Sequence, residues 1–320
     1  MRSIAIVTGI VDKPNTVHKS HKESVPYLGG VAIIIGVVLI SYSTSLVSNF
    51  TSETFWLATS VLAPALVLGL IGLWDDMRNL PPLPRFVAQT VAGVFIAISL
   101  VVTDSVGNPT GSEIFDTVIT IIWIVGICNS INFFDNLDGG AAGTVAVTSI
   151  ALATLALSSN QSLIAAMSTV TAGATLGFLI WNKSPARIYM GDAGSLFLGV
   201  LLATLTIRLH PDTQTQLGSY FTPIFLLALP ILDTTVAVFS RIRRHASPFQ
   251  GGQDHLSHRL IRAGLSRRQA AVSLWALSTL FAAVAIMFSL VSAQFEIGLI
   301  LGSALFWIIL FVLFFKSKDG

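Results

Sequence analysis

A few polar motifs stand out in an otherwise apolar chain. Asp75 and Asp76 close the run GLIGLWDD, and Asn129, Asn132, Asp135, Asn136 and Asp138 sit in NSINFFDNLDGG. Asp192 lies in IYMGDAGSLFLG, Asp233 in LPILDTT, and Asp254, His255 and His258 in FQGGQDHLSHRL. Carboxylates and amide oxygens are the hard ligands that Mg²⁺ takes, and Mg²⁺ usually leaves room for substrate phosphates. The His and Arg side chains close by, Arg244 with His255 and His258, suit anionic oxygens. Helix capping is the competing reading for each acid alone, because Asp and Asn favour helix ends. Capping does not explain why the acids gather on one side of the chain's map. Gly139, Gly140, Gly143, Gly191 and Gly194 flank them, where a backbone must turn sharply or approach a ligand. Gly173 and Gly177 fall in mid-segment, and there the expectation is close packing of helices through small residues.

The elements that position these groups follow from composition. Only 11% of the 320 residues are charged and 53% are apolar, with a mean hydropathy of +0.78. A soluble domain carries about 25% charge. Disorder, a disulfide scaffold (Cys128 is the one cysteine) and an ordinary soluble enzyme are excluded, and the net charge of +2 gives no sign of nucleic-acid binding. Ten apolar stretches have about the length of a membrane-spanning helix: 27–48, 54–74, 85–103, 114–133, 143–159, 162–181, 194–209, 219–239, 270–292 and 295–315. They do not alternate as barrel strands would; residues 31–40 read VAIIIGVVLI. The expected fold is therefore all-α, a polytopic membrane helical bundle of about 10 spans forming a single domain over 1–320. Met1–Ile10 is too short to span and lacks a cleavage pattern, and reads as an interfacial segment.

The charges orient the bundle. The N-terminus, the loops 74–85, 182–193 and 240–269, and the C-terminal tail together carry 17 of the 18 basic residues, leaving Arg208 for the other side. Positive residues stay inside, so both termini and the 240–269 loop with its histidines are expected in the cytoplasm. The acidic motifs fall on that same side.

Five segments, in order, resemble the polyprenyl-phosphate N-acetylhexosamine-1-phosphate transferases of glycosyltransferase family 4. They are DKPN…SHKESVPYLGG (12–30), GLWDDMRNLPPLPRFVAQ (72–89), NSINFFDNLDGGAAG (129–143), ARIYMGDAGSLFLG (186–199) and SPFQGGQDHLSHRLIRAGLS (247–266). The resemblance implies an integral plasma-membrane (inner-membrane) enzyme with its active site facing the cytoplasm. Such an enzyme moves a sugar-1-phosphate, most simply N-acetylglucosamine-1-phosphate, from a UDP-sugar to undecaprenyl phosphate and releases UMP. It implies Mg²⁺ as cofactor, with Mn²⁺ as a substitute. The partners are a UDP-N-acetylhexosamine, the polyprenyl phosphate and the lipid bilayer, with no nucleic acid and a second copy of the chain as a candidate. Asp75 and Asp76 match the paired acids, Asn132 and Asp135 the Asn-x-x-Asp motif, Asp138 the next acid, Asp192 the metal-binding Asp, and His255 and His258 the loop histidines. The family assigns Asp75 the last proton of the lipid phosphate; metal binding suits the same residue. The family's loop usually reads His-x-His-His in the sugar-transferring branch and three successive His in the muramoyl-pentapeptide branch; Ser257 stands in place of the middle His, which speaks against the pentapeptide branch. Only eleven residues precede Asp12, where the family usually has a full span.

Other classes fit less well. Carriers place their acids near the midplane, often in paired repeats, and only Asp233 falls well inside a stretch. A CDP-alcohol phosphotransferase needs further charges after Asp135-x-x-Asp138-Gly139, and GAAGTVAVTSIALAT supplies none. A scaffold leaves the acids unexplained. Asp233 itself reads equally as a site acid or as the buried partner of an Arg such as Arg241. His18, His21 and His210 read as surface residues, with His21 close to the Pro26 and Gly29-Gly30 entry.

Overall fold

The computed structural model describes residues 1–8, 11–12, 25–47, 51–78, 81–102, 112–248 and 252–317. His18, His21, Lys13, Lys19, Lys22 and Lys318 lie outside them. The described chain is helical apart from one short antiparallel pair, β1 (Val11–Asp12) with β2 (Val25–Pro26). The helices are α1 (Arg2–Thr8), α2 (Gly29–Val47), α3 (Ser52–Arg78), α4 (Pro82–Val102), α5 (Glu113–Phe134), α6 (Gly140–Ser158) and α7 (Ser162–Asn182). They continue as α8 (Gly191–Arg208), α9 (Gln216–Leu226), α10 (Ala228–Arg243), α11 (Leu256–Arg262), α12 (Arg267–Met287) and α13 (Ala293–Lys316).

Among the described residues, the central part of each of the ten apolar stretches is helical. Seven of these helices, α3, α5, α6, α7, α8, α12 and α13, are long and apolar enough to cross a bilayer. α2 and α4 hold shorter apolar cores, Gly29–Ser43 and Phe86–Leu100. The stretch 219–239 is not one helix: α9 and α10 meet at 67°, and counting the pair as one span brings the total to 8. Proline is the cause. Pro230 has no N–H to return to the Leu226 carbonyl, and in the first turn of α10 that donor is not required. The carbonyl is satisfied instead by the Thr148 hydroxyl at 3.0 Å, and Trp307 Nε1 donates to the neighbouring Ala228 carbonyl at 3.1 Å.

α8 is the central post. It is apolar all round, and every residue from Ala193 to Leu205 is buried, as expected for a helix enclosed by others. α3, α5 and α2 pack around it. α13 is the opposite case: Leu301, Leu305, Ile308 and Leu313 point outward, a surface that lipid covers. Gly173 and Gly177 depart from expectation, since nothing lies within 4 Å of where their Cβ atoms would be. The packed face of α7 runs through Thr171, Thr175 and Phe178, spaced at one helical period, and the two glycines lie off it. Arg208, the exception in the charge map, is buried and donates from Nη2 to Ser60 Oγ at 3.1 Å.

Candidate functional site

The site forms where α3 and α5 end and α8 begins. Asp76, in the last turn of α3, reaches across to α8. Its carboxylate accepts the Asp192 N–H at 2.9 Å and the Ala193 N–H at 3.1 Å. No side chain of α8's own N-cap residue, Met190, does this. Asp76 thus caps a helix that begins 115 residues later, and it fixes where Asp192 stands. Gly191 makes room: its φ is +71°, and a Cβ there would lie 2.5 Å from Asp76 Oδ2. The strand segment helps as well. Pro26 O accepts the Tyr189 N–H at 2.8 Å, and the Gly29 and Gly30 N–H groups donate to the Tyr189 and Met190 carbonyls.

Asp192 is also held from α5. Asn132 Nδ2 donates to Asp192 Oδ1 and to Ser195 Oγ, both at 2.9 Å. One helical turn on, Asp135 ends α5. The loop that follows is tied down on all sides. Asp138 Oδ2 accepts the Ala186 N–H at 3.1 Å, Asn182 Oδ1 accepts the Gly139 N–H at 2.9 Å, and Trp275 Nε1 donates to Gly139 O at 3.0 Å. Asp135 is driven up to about 7, first by burial and then by the charges of Asp192 and Asp138. Burial alone disfavours its charge, and the two neighbouring acids add to that. Asp75, beside Asp76, is buried at 5% exposure.

The histidine segment packs against the same end of α5. Ser257 donates its hydroxyl to Asn136 Oδ1, and Asn136 Nδ2 holds the Phe133 carbonyl at 2.7 Å. Ser257 therefore joins the 240–269 loop to the acidic loop. Arg241 stacks 5.6 Å over the Phe133 ring and binds Asp254 through Nε at 3.1 Å. The His255 and His258 rings lie 6.4 Å apart. Arg244 pairs with Asp254 from a half-exposed position, so the guanidinium next to His255 is Arg241. Asp233 is fully buried, and its partner is His255 and not an arginine.

His258 is pushed down to about 4 by burial, and by the charges of His255 and Arg262, so it is neutral at pH 7. An unfolded His takes up its proton near 6.5. Between about 6.5 and 4 the unfolded chain therefore binds a proton that the fold refuses, and stability falls as pH falls through that window. His258→Gln should flatten this dependence in thermal unfolding between pH 7 and 4; an unchanged slope would place its origin elsewhere.

Among the described residues, no three His, Cys, Asp or Glu side chains form a ready metal cage. The donor set still suits a hard cation. It offers carboxylates from separate elements, with repulsion to relieve and open valences for phosphate oxygens, which is how Mg²⁺ is usually bound.

Comparison with known proteins agrees with this geometry. The model for glycosyl transferase family 4 matches residues 58–210, which span the α3 acids, the α5 loop and α8. A probable undecaprenyl-phosphate N-acetylglucosaminyl 1-phosphate transferase of Bacillus subtilis is 34% identical, covering 98% of this chain and 83% of the relative. The chain belongs to glycosyl transferase family 4. A decaprenyl-phosphate N-acetylglucosaminephosphotransferase of Mycolicibacterium smegmatis is 32% identical, over 90% of this chain and 78% of its own. A phospho-N-acetylmuramoyl-pentapeptide-transferase of Streptococcus uberis is 27% identical over 84% of each. Within glycosyl transferase family 4, the chain stands nearer the N-acetylglucosamine branch than the muramoyl-pentapeptide one.

Two contributors escaped the motif reading. Asn182 and Trp275 hold the acidic loop, but each closes or lines an apolar helix and carries no motif of its own.

Proposed function

We propose that this protein transfers N-acetylglucosamine-1-phosphate from UDP-N-acetylglucosamine to undecaprenyl phosphate. An oxygen of the lipid phosphate attacks the sugar-bearing phosphorus of the donor. The phosphoric anhydride bond breaks, and UMP leaves with its electron pair. One anhydride replaces another, so the protein's task is to bring two anions together. Phosphoryl transfer is mainly positioning and charge neutralisation. The observation that carries the reading is Asp192, held at the start of α8 by Asp76 from α3 and Asn132 from α5, in a chain 34% identical to a transferase over almost its whole length.

Asp192, Asp135 and Asp75 would hold Mg²⁺, and Asn132 orients the Asp192 carboxylate. When bound, the ion supplies neutralisation of the diphosphate oxygens. His255, His258 and Arg244 would hold phosphate oxygens or the departing UMP, with Arg241 beside His255. The donor is water-soluble and the acceptor's chain lies in the bilayer. That favours a site at the cytoplasmic headgroup level of the plasma membrane, both termini inside, and ten crossings with α2, α4 and the bent α9–α10 pair each counted once. Metal-dependent UMP release tests the function: purified protein, undecaprenyl phosphate and a panel of UDP-sugars, with EDTA and Mg²⁺ or Mn²⁺ added back. The expected donor is UDP-N-acetylglucosamine. A carrier would release no UMP in detergent.

Orientation has its own test. Cys128 is buried, so a cysteine placed at Ser247 gives a clean signal. In intact cells it should escape a membrane-impermeant thiol reagent and react after permeabilisation. Labelling from outside would reverse the topology and remove the donor's access.

A further inference from the structure

Asp233 sits in the second turn of α10 at 0% exposure, and it does two things at once. Its Oδ2 lies 2.7 Å from His255 Nδ1, and its Oδ1 accepts the Leu256 N–H at 2.7 Å. The second bond sets the start of α11, the helix that carries Ser257, His258 and Arg259. The first decides the chemistry of the ring. The other ring nitrogen, Nε2, lies 3.2 Å from Arg241 Nη2. A guanidinium is a donor only, so Nε2 faces it with its lone pair and the ring proton is on Nδ1, given to Asp233. The groups around the ring agree. Arg241 comes from α10, the Phe133 edge from α5 at 6.2 Å and His258 from α11, and Asp254 is taken up by Arg241 and Arg244.

We propose that Asp233 is a positioning residue for the transfer reaction: it commits His255 Nδ1–H, so that the Nε2 lone pair is turned to Arg241 Nη2 and holds that guanidinium in place. This rests on the transferase reading for what the guanidinium meets, though not for the state of the ring. With Nδ1 engaged, the ring can take up a further proton only at Nε2. Fixing the tautomer through the far nitrogen is the established way of aiming a histidine.

The test is a tautomer measurement joined to kinetics. In protein labelled with [¹⁵N]histidine, the His255 signals, identified by their loss in His255→Gln, should show a protonated Nδ1 and a bare Nε2. Asp233→Asn can still accept the Leu256 N–H but turns an amide donor toward the ring, so the proton should move to Nε2. UMP release should fall by about ten- to a hundredfold, the usual loss when an orienting partner of a site histidine is removed. Added to His255→Gln, the same change should cost no more. A wild-type ring protonated on Nε2 overturns the proposal without any variant, as does a double variant whose loss is the product of the two single losses. A wild type that releases no UMP from any donor defeats the transferase reading instead, and the ring signals still decide whether Asp233 sets the tautomer.

Discussion

Asp192→Asn should lower turnover by at least about a hundredfold, the scale for losing a metal or transition-state contact, with the helices and unfolding temperature kept. The substitution is nearly isosteric, and the bonds that place the residue do not depend on its charge. Asp76 holds the backbone N–H of residue 192, and Asn132 Nδ2 has Ser195 Oγ as a second acceptor. What disappears is a negative charge that, after burial, helps to raise Asp135. Repulsion among carboxylates is unfavourable to folding, so an acid kept for stability alone would gain from the change. Steady-state UMP release across a Mg²⁺ titration, with circular dichroism on the same preparation, checks both parts. Near-normal turnover at limiting Mg²⁺ would reduce Asp192 to an acid that merely favours the start of α8.

The acids could be found in the sequence because charge is rare in this chain and every exception shows. Their convergence could be inferred from the side of the membrane assigned to each loop. The division of labour among them could not. Asp75 and Asp76 look alike in sequence, and the helix that Asp76 caps begins 115 residues later, so no local window holds both donor and acceptor. Arg241 and Arg244 are equivalent in a run of basic residues, and only the turn of α10 puts one beside His255 and the other toward solvent. The break between α9 and α10 could be suspected from Pro223 and Pro230. Hydropathy alone ran through it, because apolar residues continue on both sides and a span-length average ignores a missing N–H. The shorter cores of α2 and α4 were hidden for a related reason: apolar residues mark what lies in lipid or protein, not where the helix stops.

Asp75→Asn and Asp76→Asn should fail in different ways, though the residues are neighbours. Successive residues point about 100° apart around a helix. Asp76 uses its direction to accept two N–H groups at the start of α8. An amide offers one accepting oxygen and turns a donor toward the other N–H. Asp76→Asn should therefore cost about 1 kcal/mol or more of stability, the usual scale for a lost cap, and show first as a lower unfolding temperature. Asp75 is buried beside it, and an isosteric amide leaves its packing intact. If Asp75 only removes the last proton of the lipid phosphate, the defect should shrink as pH rises, because that phosphate ionises unaided above its second pKa of about 6. If Asp75 helps to hold Mg²⁺, the loss should reach about a hundredfold, ease with excess metal and stay flat above about pH 7. The second outcome is expected. The attacking phosphate is already an anion, and what it lacks when it meets a diphosphate is neutralising charge. Initial rates of Asp75→Asn over a grid of pH and Mg²⁺ separate the two, and rescue by alkaline pH with no response to Mg²⁺ would make Asp75 the base.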